Sequence, residues 1–156
     1  MRRSLTMLAA AALIAGCGTT IEPASNEAHQ YFTPDTIDYQ PGPGSLPEGS
    51  EFAVLEGDPA AEGFFLLRLK LPDGYQIPPH HHGGVERVTV IAGTLSFGHG
   101  EEADWETTTS LPTGSYLTIP PGHAHYVEAE GETVLQLSTI GPWTLTYVDP
   151  DDDPRE

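Results

Sequence analysis

Two short blocks of sequence constrain this chain more than any other feature, because each combines potential metal ligands with turn-forming residues at fixed spacing. The first block spans residues 74–93 and the second spans residues 114–125. Their distinctive positions are Gly74, His80, His82, Glu86 and Gly93 in the first block, and Gly114, Pro120, Gly122 and His125 in the second. Three imidazoles and one carboxylate can therefore meet at one divalent metal if the blocks form neighbouring strands of a small barrel.

Strand alternation supports this convergence. Side chains two residues apart on a strand point to the same face, so His80 and His82 share a face and His81 points away. Two glycines follow His82 and permit a bend before Glu86, and a Pro-Pro-Gly turn comes shortly before His125. The pattern predicts that the three histidines and Glu86 face a common interior.

The remainder of the chain, from residue 51 onward, favours an all-β fold. Short runs rich in β-branched and aromatic residues alternate with glycine and proline turns, and no stretch has a sustained helical period. The predicted strands are Glu51–Glu56, Phe64–Leu71, Glu86–Ile91, Thr94–Phe97, Tyr116–Ile119, His123–Ala129, Thr133–Ile140 and Trp143–Val148. Many short strands of this kind fold as a sandwich or a barrel.

The two blocks resemble the paired motifs of the cupin superfamily. The first block fits the first motif without a gap, and the second fits its motif except that Ala129 replaces a final asparagine, which is not usually a ligand. Over residues 31–155 the chain also looks like a group of small bacterial single-domain cupins without a settled activity. The resemblance implies a cupin double-stranded β-helix, a jelly-roll barrel, with His80, His82, Glu86 and His125 as metal ligands.

The ligand types suit one divalent transition metal and do not choose among Fe, Mn, Ni, Co, Cu and Zn. Arg87 should face away from Glu86, so the pocket has few cationic side chains with which to bind phosphates or dianions. Neutral phenolic or diketone-like molecules that chelate through oxygen are favoured. The first hypothesis is a metal-dependent dioxygenase-like oxidoreductase in which Glu86, or a bound water, acts as the base.

Two other hypotheses stay open at this point. The chain could be a non-catalytic, lipid-anchored protein that binds metal or a small molecule, or a structural module without metal. The sequence shows no dedicated acid–base pair beyond the candidate ligands, and the presence or absence of such a pair is what separates the enzyme from the binding protein. His123 shares a face with His125, so it is either a rim histidine or a neighbour of the metal. Trp143 either lines the pocket mouth or packs in the core.

The N-terminal residues predict export. A positive start and a short apolar run end in Ile-Ala-Gly-Cys, which resembles the lipobox of bacterial lipoproteins. We expect a signal peptide at 1–16, a lipid on Cys17, a tether at 17–30, a cupin domain at 31–148 and an acidic tail at 149–156. The protein would then be a membrane-anchored lipoprotein of the periplasm or cell surface, by the Sec or the twin-arginine route. An ordinary secretory signal with a chance cysteine is the alternative.

The charge restricts the partners. The formal net charge is −17 at pH 7, and such a surface repels phosphate backbones, so we expect no nucleic-acid partner. Contact with a membrane is expected only through the lipid on Cys17. Cysteine occurs once, so no intramolecular disulfide can form. Exposed sheet edges give an all-β chain a reason to self-associate, and a homodimer is predicted.

Overall fold

Residues 29–155 are described by the computed structural model of this chain. The predicted signal peptide at 1–16, the lipid on Cys17 and nearly all of the predicted tether at 17–30 lie outside the described residues. Phe32–Glu156 form one compact unit. The described part of the other unit, residues 29–31, has no regular secondary structure. The domain boundaries within the chain stay predictions.

The described residues are mainly β-structure, with short 3₁₀ turns at Pro34–Thr36 and Pro150–Asp152. Every strand pairing is antiparallel. The strands are β1 (Gln40–Pro41), β2 (Glu51–Glu56), β3 (Gly63–Leu71), β4 (Gln76–His81), β5 (Glu86–His99), β6 (Thr109–Pro112), β7 (Tyr116–Ile119), β8 (His125–Gly141) and β9 (Thr146–Tyr147). The all-β prediction is confirmed.

The two longest strands, β5 and β8, curl the sheet on itself. The first half of β5 pairs with β7, and its second half pairs with β6. In β8, the first half pairs with β4 and the second half pairs with β3, while β5 and β8 pair with each other along most of their length. Each long strand thus passes from one face of the molecule to the other, and the space between the faces holds the core.

Glycine allows β5 and β8 to bend without breaking. Gly93 has φ +77° in β5 and Gly131 has φ +74° in β8, in the left-handed region that favours glycine. The sequence pattern predicted one strand on each side of each bend, so two strands in place of β5 and two in place of β8, and that prediction is wrong. Glycine ends a strand in a simple pattern analysis, whereas here it turns the strand and leaves most of the pairing intact.

The core is built from alternate residues of the strands, most regularly in β3. In β3, the side chains of Phe65, Leu67, Leu69 and Leu71 are buried, whereas their neighbours in sequence are more exposed. Buried side chains from β4, β5, β7 and β8 join them in one cluster. A core of this size supplies the main driving force for folding, because burial of apolar surface stabilises by about 25 cal/mol per Å².

The chain after β8 departs from the prediction of a strand over Trp143–Val148. Only Thr146–Tyr147 pair in a ladder, with β4. The preceding residues bond to loops instead: the Trp143 N–H donates to the Pro59 carbonyl, and the Thr144 hydroxyl accepts from the Gly83 N–H.

Among the described residues, no helix is long and apolar enough to span a membrane.

Candidate metal centre

The pairing of β4 with β8 brings two of the predicted ligands together. His80 lies directly opposite His125 in this ladder, and their ring centroids are 4.2 Å apart. Cross-strand partners of this kind project their side chains on the same face of the sheet. Residues 45 positions apart in the chain therefore become direct neighbours in the barrel interior.

His82 completes the group from just beyond the end of β4. Its ring centroid is 5.0 Å from that of His80 and 5.3 Å from that of His125. One ring nitrogen from each of the three histidines lies within 4.8 Å of the others, and all three side chains are buried. This group could hold a metal ion, as the spacing of the two sequence blocks predicts.

Each imidazole is oriented by a main-chain carbonyl. The Nδ1 atom of His80 lies 2.7 Å from the Pro78 carbonyl oxygen, and Nδ1 of His82 lies 2.8 Å from that of Thr144. Nδ1 of His125 lies 3.0 Å from the carbonyl oxygen of His123. A carbonyl can only accept, so each Nδ1 carries the proton and each Nε2 keeps its lone pair free for a ligand bond.

Glu86 lies beside this group. It opens β5, is 3% exposed, and places Oε1 3.4 Å from Nε2 of His82. The same Oε1 accepts a hydrogen bond of 2.8 Å from the indole Nε1 of Trp143. Glu86 is not part of the three-histidine group whose ligand atoms all lie within 4.8 Å of one another. Its role as a fourth ligand stays a prediction.

Burial sets the protonation of the four side chains. It lowers the pKa of His82 to about 4, and lowers those of His80 and His125 below the ordinary value of 6.5. It also raises the pKa of Glu86 to about 7, against the opposing effects of His125 and the Trp143 hydrogen bond. The histidines are therefore neutral at pH 7, the form that binds metals, and the carboxyl titrates near neutrality.

The four side chains face a small apolar cavity. Aliphatic and aromatic side chains make up the rest of the lining, including Leu69, Val88, Leu95, Phe97 and Leu137, and no lysine or arginine of residues 29–155 lines it. The site is suited to small uncharged molecules and poorly suited to anions.

The other three residues that the sequence analysis discussed near this site, His123, Arg87 and Trp143, have different positions relative to it. His123 is exposed, and it is its main-chain carbonyl that contributes to the site, through Nδ1 of His125. Arg87 is exposed and directs Nη1 to the Val85 carbonyl, as the alternation predicted. Trp143 both lines the cavity and bonds Glu86, a contact that sequence reasoning missed. No local pattern indicates it, because the two residues are 57 positions apart.

The donor set fits a divalent transition metal. Three neutral imidazoles with free Nε2 atoms in a buried apolar cavity form a nitrogen ligand set, and their main-chain hydrogen bonds are those that orient metal-bound histidines.

Comparison with known proteins agrees with this fold. An acetylacetone dioxygenase from Acinetobacter johnsonii shares 18% identity, with 85% of each chain covered and a TM-score of 0.63. The polyketide cyclase RemF from Streptomyces resistomycificus shares 18%, covering 81% of this chain and 90% of that one, with a TM-score of 0.61. A cupin 2 conserved barrel domain protein from Rhodopseudomonas palustris shares 16%, covering 81% and 89%, with a TM-score of 0.60.

These likenesses show the cupin barrel, so the predicted fold is confirmed, and at this identity they show the fold alone. No curated protein matches the chain. A family model described as a domain of unknown function, DUF4437, matches residues 47–152, which include both sequence blocks and all four candidate ligands. The chain, a cupin by fold, therefore belongs to the DUF4437 family.

Proposed function

We propose that this protein binds one divalent transition metal through Nε2 of His80, His82 and His125, and acts as a dioxygenase-like oxidoreductase on a small diketone-like or phenolic substrate. The observation that carries the proposal is the three-histidine group, with every Nδ1 bonded to a main-chain carbonyl, at the wall of an apolar cavity. When bound, the metal would supply Lewis acidity, and redox capacity if it is Fe, Mn, Ni, Co or Cu.

The substrate class follows from the cavity. In the described part of the chain no lysine or arginine lines it, so a phosphate or dicarboxylate would be desolvated without a partner. A β-diketone has two oxygens at the spacing of a chelate and apolar ends that match the aliphatic walls. Two structures of the same fold are an acetylacetone dioxygenase and a polyketide cyclase, whose named substrates both contain repeated carbonyl groups.

Glu86 is the proposed base. The carbon between two carbonyl groups is acidic, and a carboxylate with a pKa near 7 can accept its proton at neutral pH. The apolar walls offer water few hydrogen-bond partners beside the resulting carbanion, which disfavours its reprotonation by solvent. In a dioxygenase reaction both atoms of dioxygen end in the organic product, so no separate reductant is needed.

The test is metal analysis followed by oxygen uptake. Protein purified from its native compartment is analysed for metal, and oxygen consumption is measured with acetylacetone and a panel of phenols. We expect uptake that depends on His82 and on metal, and that is abolished in Glu86→Ala. Tight diketone binding with zinc and no turnover would contradict the enzyme and support the alternative, a non-catalytic binding protein.

We also infer that the protein is exported and anchored by a lipid on Cys17. Support comes from the lipobox-like sequence that ends at Cys17. Membrane and soluble fractions of cells expressing the native protein and a Cys17→Ser variant provide the test. We expect the native protein in the membrane fraction and the variant in the soluble fraction, and equal partition of the two would contradict the anchor.

A further inference from the structure

Trp143 is fixed next to the metal centre by contacts on several sides. Its ring stacks against that of His82, with centroids 5.9 Å apart and planes 13° apart, and lies 6.2 Å from that of Phe65. Its main-chain N–H donates to the Pro59 carbonyl at 2.7 Å. With the ring and the backbone both held, the indole N–H has a defined direction, and that direction leads to Oε1 of Glu86 at 2.8 Å.

Glu86 therefore has two possible attachments. Oε1 lies 3.4 Å from Nε2 of His82, close to the distance of about 3 Å between adjacent ligands that are each about 2.1 Å from one metal. Glu86 nevertheless stays outside the set of ligand atoms within 4.8 Å of one another. The carboxylate is therefore close to one of the three imidazoles, would have to shift to join all of them on one metal, and is bonded to the indole where it stands.

We propose that Trp143 is a positioning residue that holds Glu86 outside the ligand set, so that three imidazoles alone bind the metal while the indole is in place. The inference rests on the proposed function and deepens it, because a carboxylate kept off the metal stays free to accept a proton from substrate. Trp143 would then determine how many protein ligands the metal has, and with them how many coordination positions remain for substrate and dioxygen.

Packing alone does not account for this arrangement. A phenylalanine could stack on His82 and Phe65, but it has no N–H to donate. A buried carboxylate that loses its donor is destabilised, and in the metal-loaded protein a cation at the histidines is a strong replacement partner close to it. Removal of the indole N–H should therefore move Glu86 onto the metal.

The experiment is a double-mutant cycle read by Co²⁺ binding. The parent protein, Trp143→Phe, Glu86→Gln and the double variant are titrated with Co²⁺ alone, and affinity and visible d–d absorption are recorded. Glutamine keeps an oxygen for the indole but is a poor ligand. We expect Glu86→Gln to reduce affinity roughly tenfold more in the Trp143→Phe background than in the parent, at the low end of effects seen for residues around metal ligands.

The spectra give a second readout that lost packing would not produce. We expect Trp143→Phe to change the Co²⁺ absorption through an added ligand, and the double variant to return to a parent-like spectrum. An equal effect of Glu86→Gln in both backgrounds, with unchanged spectra, would overturn the positioning role. If His80→Ala binds Co²⁺ as tightly as the parent does, the proposed function itself fails, which is a separate result.

A measurement that leaves Trp143 intact covers the case in which Trp143→Phe does not fold. The chain has two tryptophans, so the Trp105→Phe variant assigns both indole N–H signals in an NMR spectrum. Glu86→Ala gives the position of the Trp143 signal without its acceptor. We expect the signal to keep its hydrogen-bonded position at saturating Zn²⁺, and a shift to the Glu86→Ala position would overturn the inference.

Discussion

At the scale of single residues, the site depends on three histidines that are equivalent in chemistry but supplied by different local structures. His80 is paired within a ladder, His82 follows the end of β4, and His125 opens β8. The same device orients all of them, a main-chain carbonyl on Nδ1. The ligand set is thus defined by backbone geometry as much as by side-chain identity.

Removal of one ligand should abolish metal binding without unfolding the protein. We expect His82→Ala to lose Co²⁺ affinity by more than the 10–100-fold typical of residues around the ligands, because it removes a ligand itself. The fold should persist, since the core cluster does not include the histidines. Metal titration and thermal melting check this. His81→Ala, one position away and pointing elsewhere, should bind normally, and unfolding of His82→Ala would contradict the expectation.

Proton linkage gives a pH prediction for the metal-free protein. His80, His82 and His125 have folded-state pKa values below 6.5, so below that pH the unfolded chain takes up protons that the folded protein does not, and stability falls. Glu86 acts oppositely between pH 7 and 4.5, because the folded protein binds its proton first. Three histidines against one carboxyl leave a net loss of stability as pH falls from 6.5 to about 5.

The melting temperature of chelator-treated protein between pH 7.5 and 5 measures this linkage. The decrease should be smaller for His82→Gln than for the parent, because one depressed imidazole is gone. His99→Gln serves as the control, since that side chain is exposed. Identical pH profiles for the parent and His82→Gln would show that burial of this imidazole does not contribute to the pH dependence of stability.

At the scale of elements, β5 and β8 each bend at a glycine with positive φ. Gly93 and Gly131 both have positive φ, but a Cβ on Gly93 would lie 2.5 Å from the Glu132 carbonyl oxygen, whereas nothing lies within 4 Å of one on Gly131. The two glycines thus share a conformational requirement and differ in steric freedom. Together they form a matched pair for mutation.

Alanine at these two positions should separate the conformational cost of a positive φ from the steric cost of a Cβ atom. Gly131→Ala should lower the free energy of unfolding by about 1–2 kcal/mol, the cost of a left-handed conformation for a non-glycine residue. Gly93→Ala should lose more, because the backbone must also move away from the new Cβ. Urea unfolding of both variants measures the difference. Equal losses would mean that β5 can shift at its bend without cost.

Much of the fold could be predicted from the sequence, and the limits have physical causes. Residues 67–71 of β3 alternate leucine with arginine or lysine and the strand is rich in apolar residues, so it was recognisable, whereas β6 is short and has no apolar periodicity and was not predicted. The three histidines were recognisable because their spacing is local within each block. The link from Trp143 to Glu86 was not, since it depends on how a loop after β8 folds back over β5.

At the scale of the whole molecule, the strand edges bear on assembly. In the described part of the chain, β6 and β7 each pair with β5 alone, so each leaves one side without a strand partner. The predicted homodimer would cover such an edge, against the repulsion of a net charge of −17 on each chain. The homodimer stays a prediction.

Ionic strength provides the test of self-association. Salt screens the repulsion between two acidic chains, with a Debye length of about 10 Å at 0.1 M and about 3 Å at 1 M. We therefore expect light scattering to show a dimer fraction that increases with salt concentration. The mass of one chain at every salt concentration would rule the homodimer out.

The carbonyls behind the three imidazoles also bear on how this family can diversify. A hydrogen bond to the peptide backbone survives almost any substitution of the residue that provides it. The side chains that line the cavity can therefore change in size and polarity over evolutionary time while the three ring nitrogens keep their direction. Homologues that take different small molecules could then share the same arrangement of imidazoles.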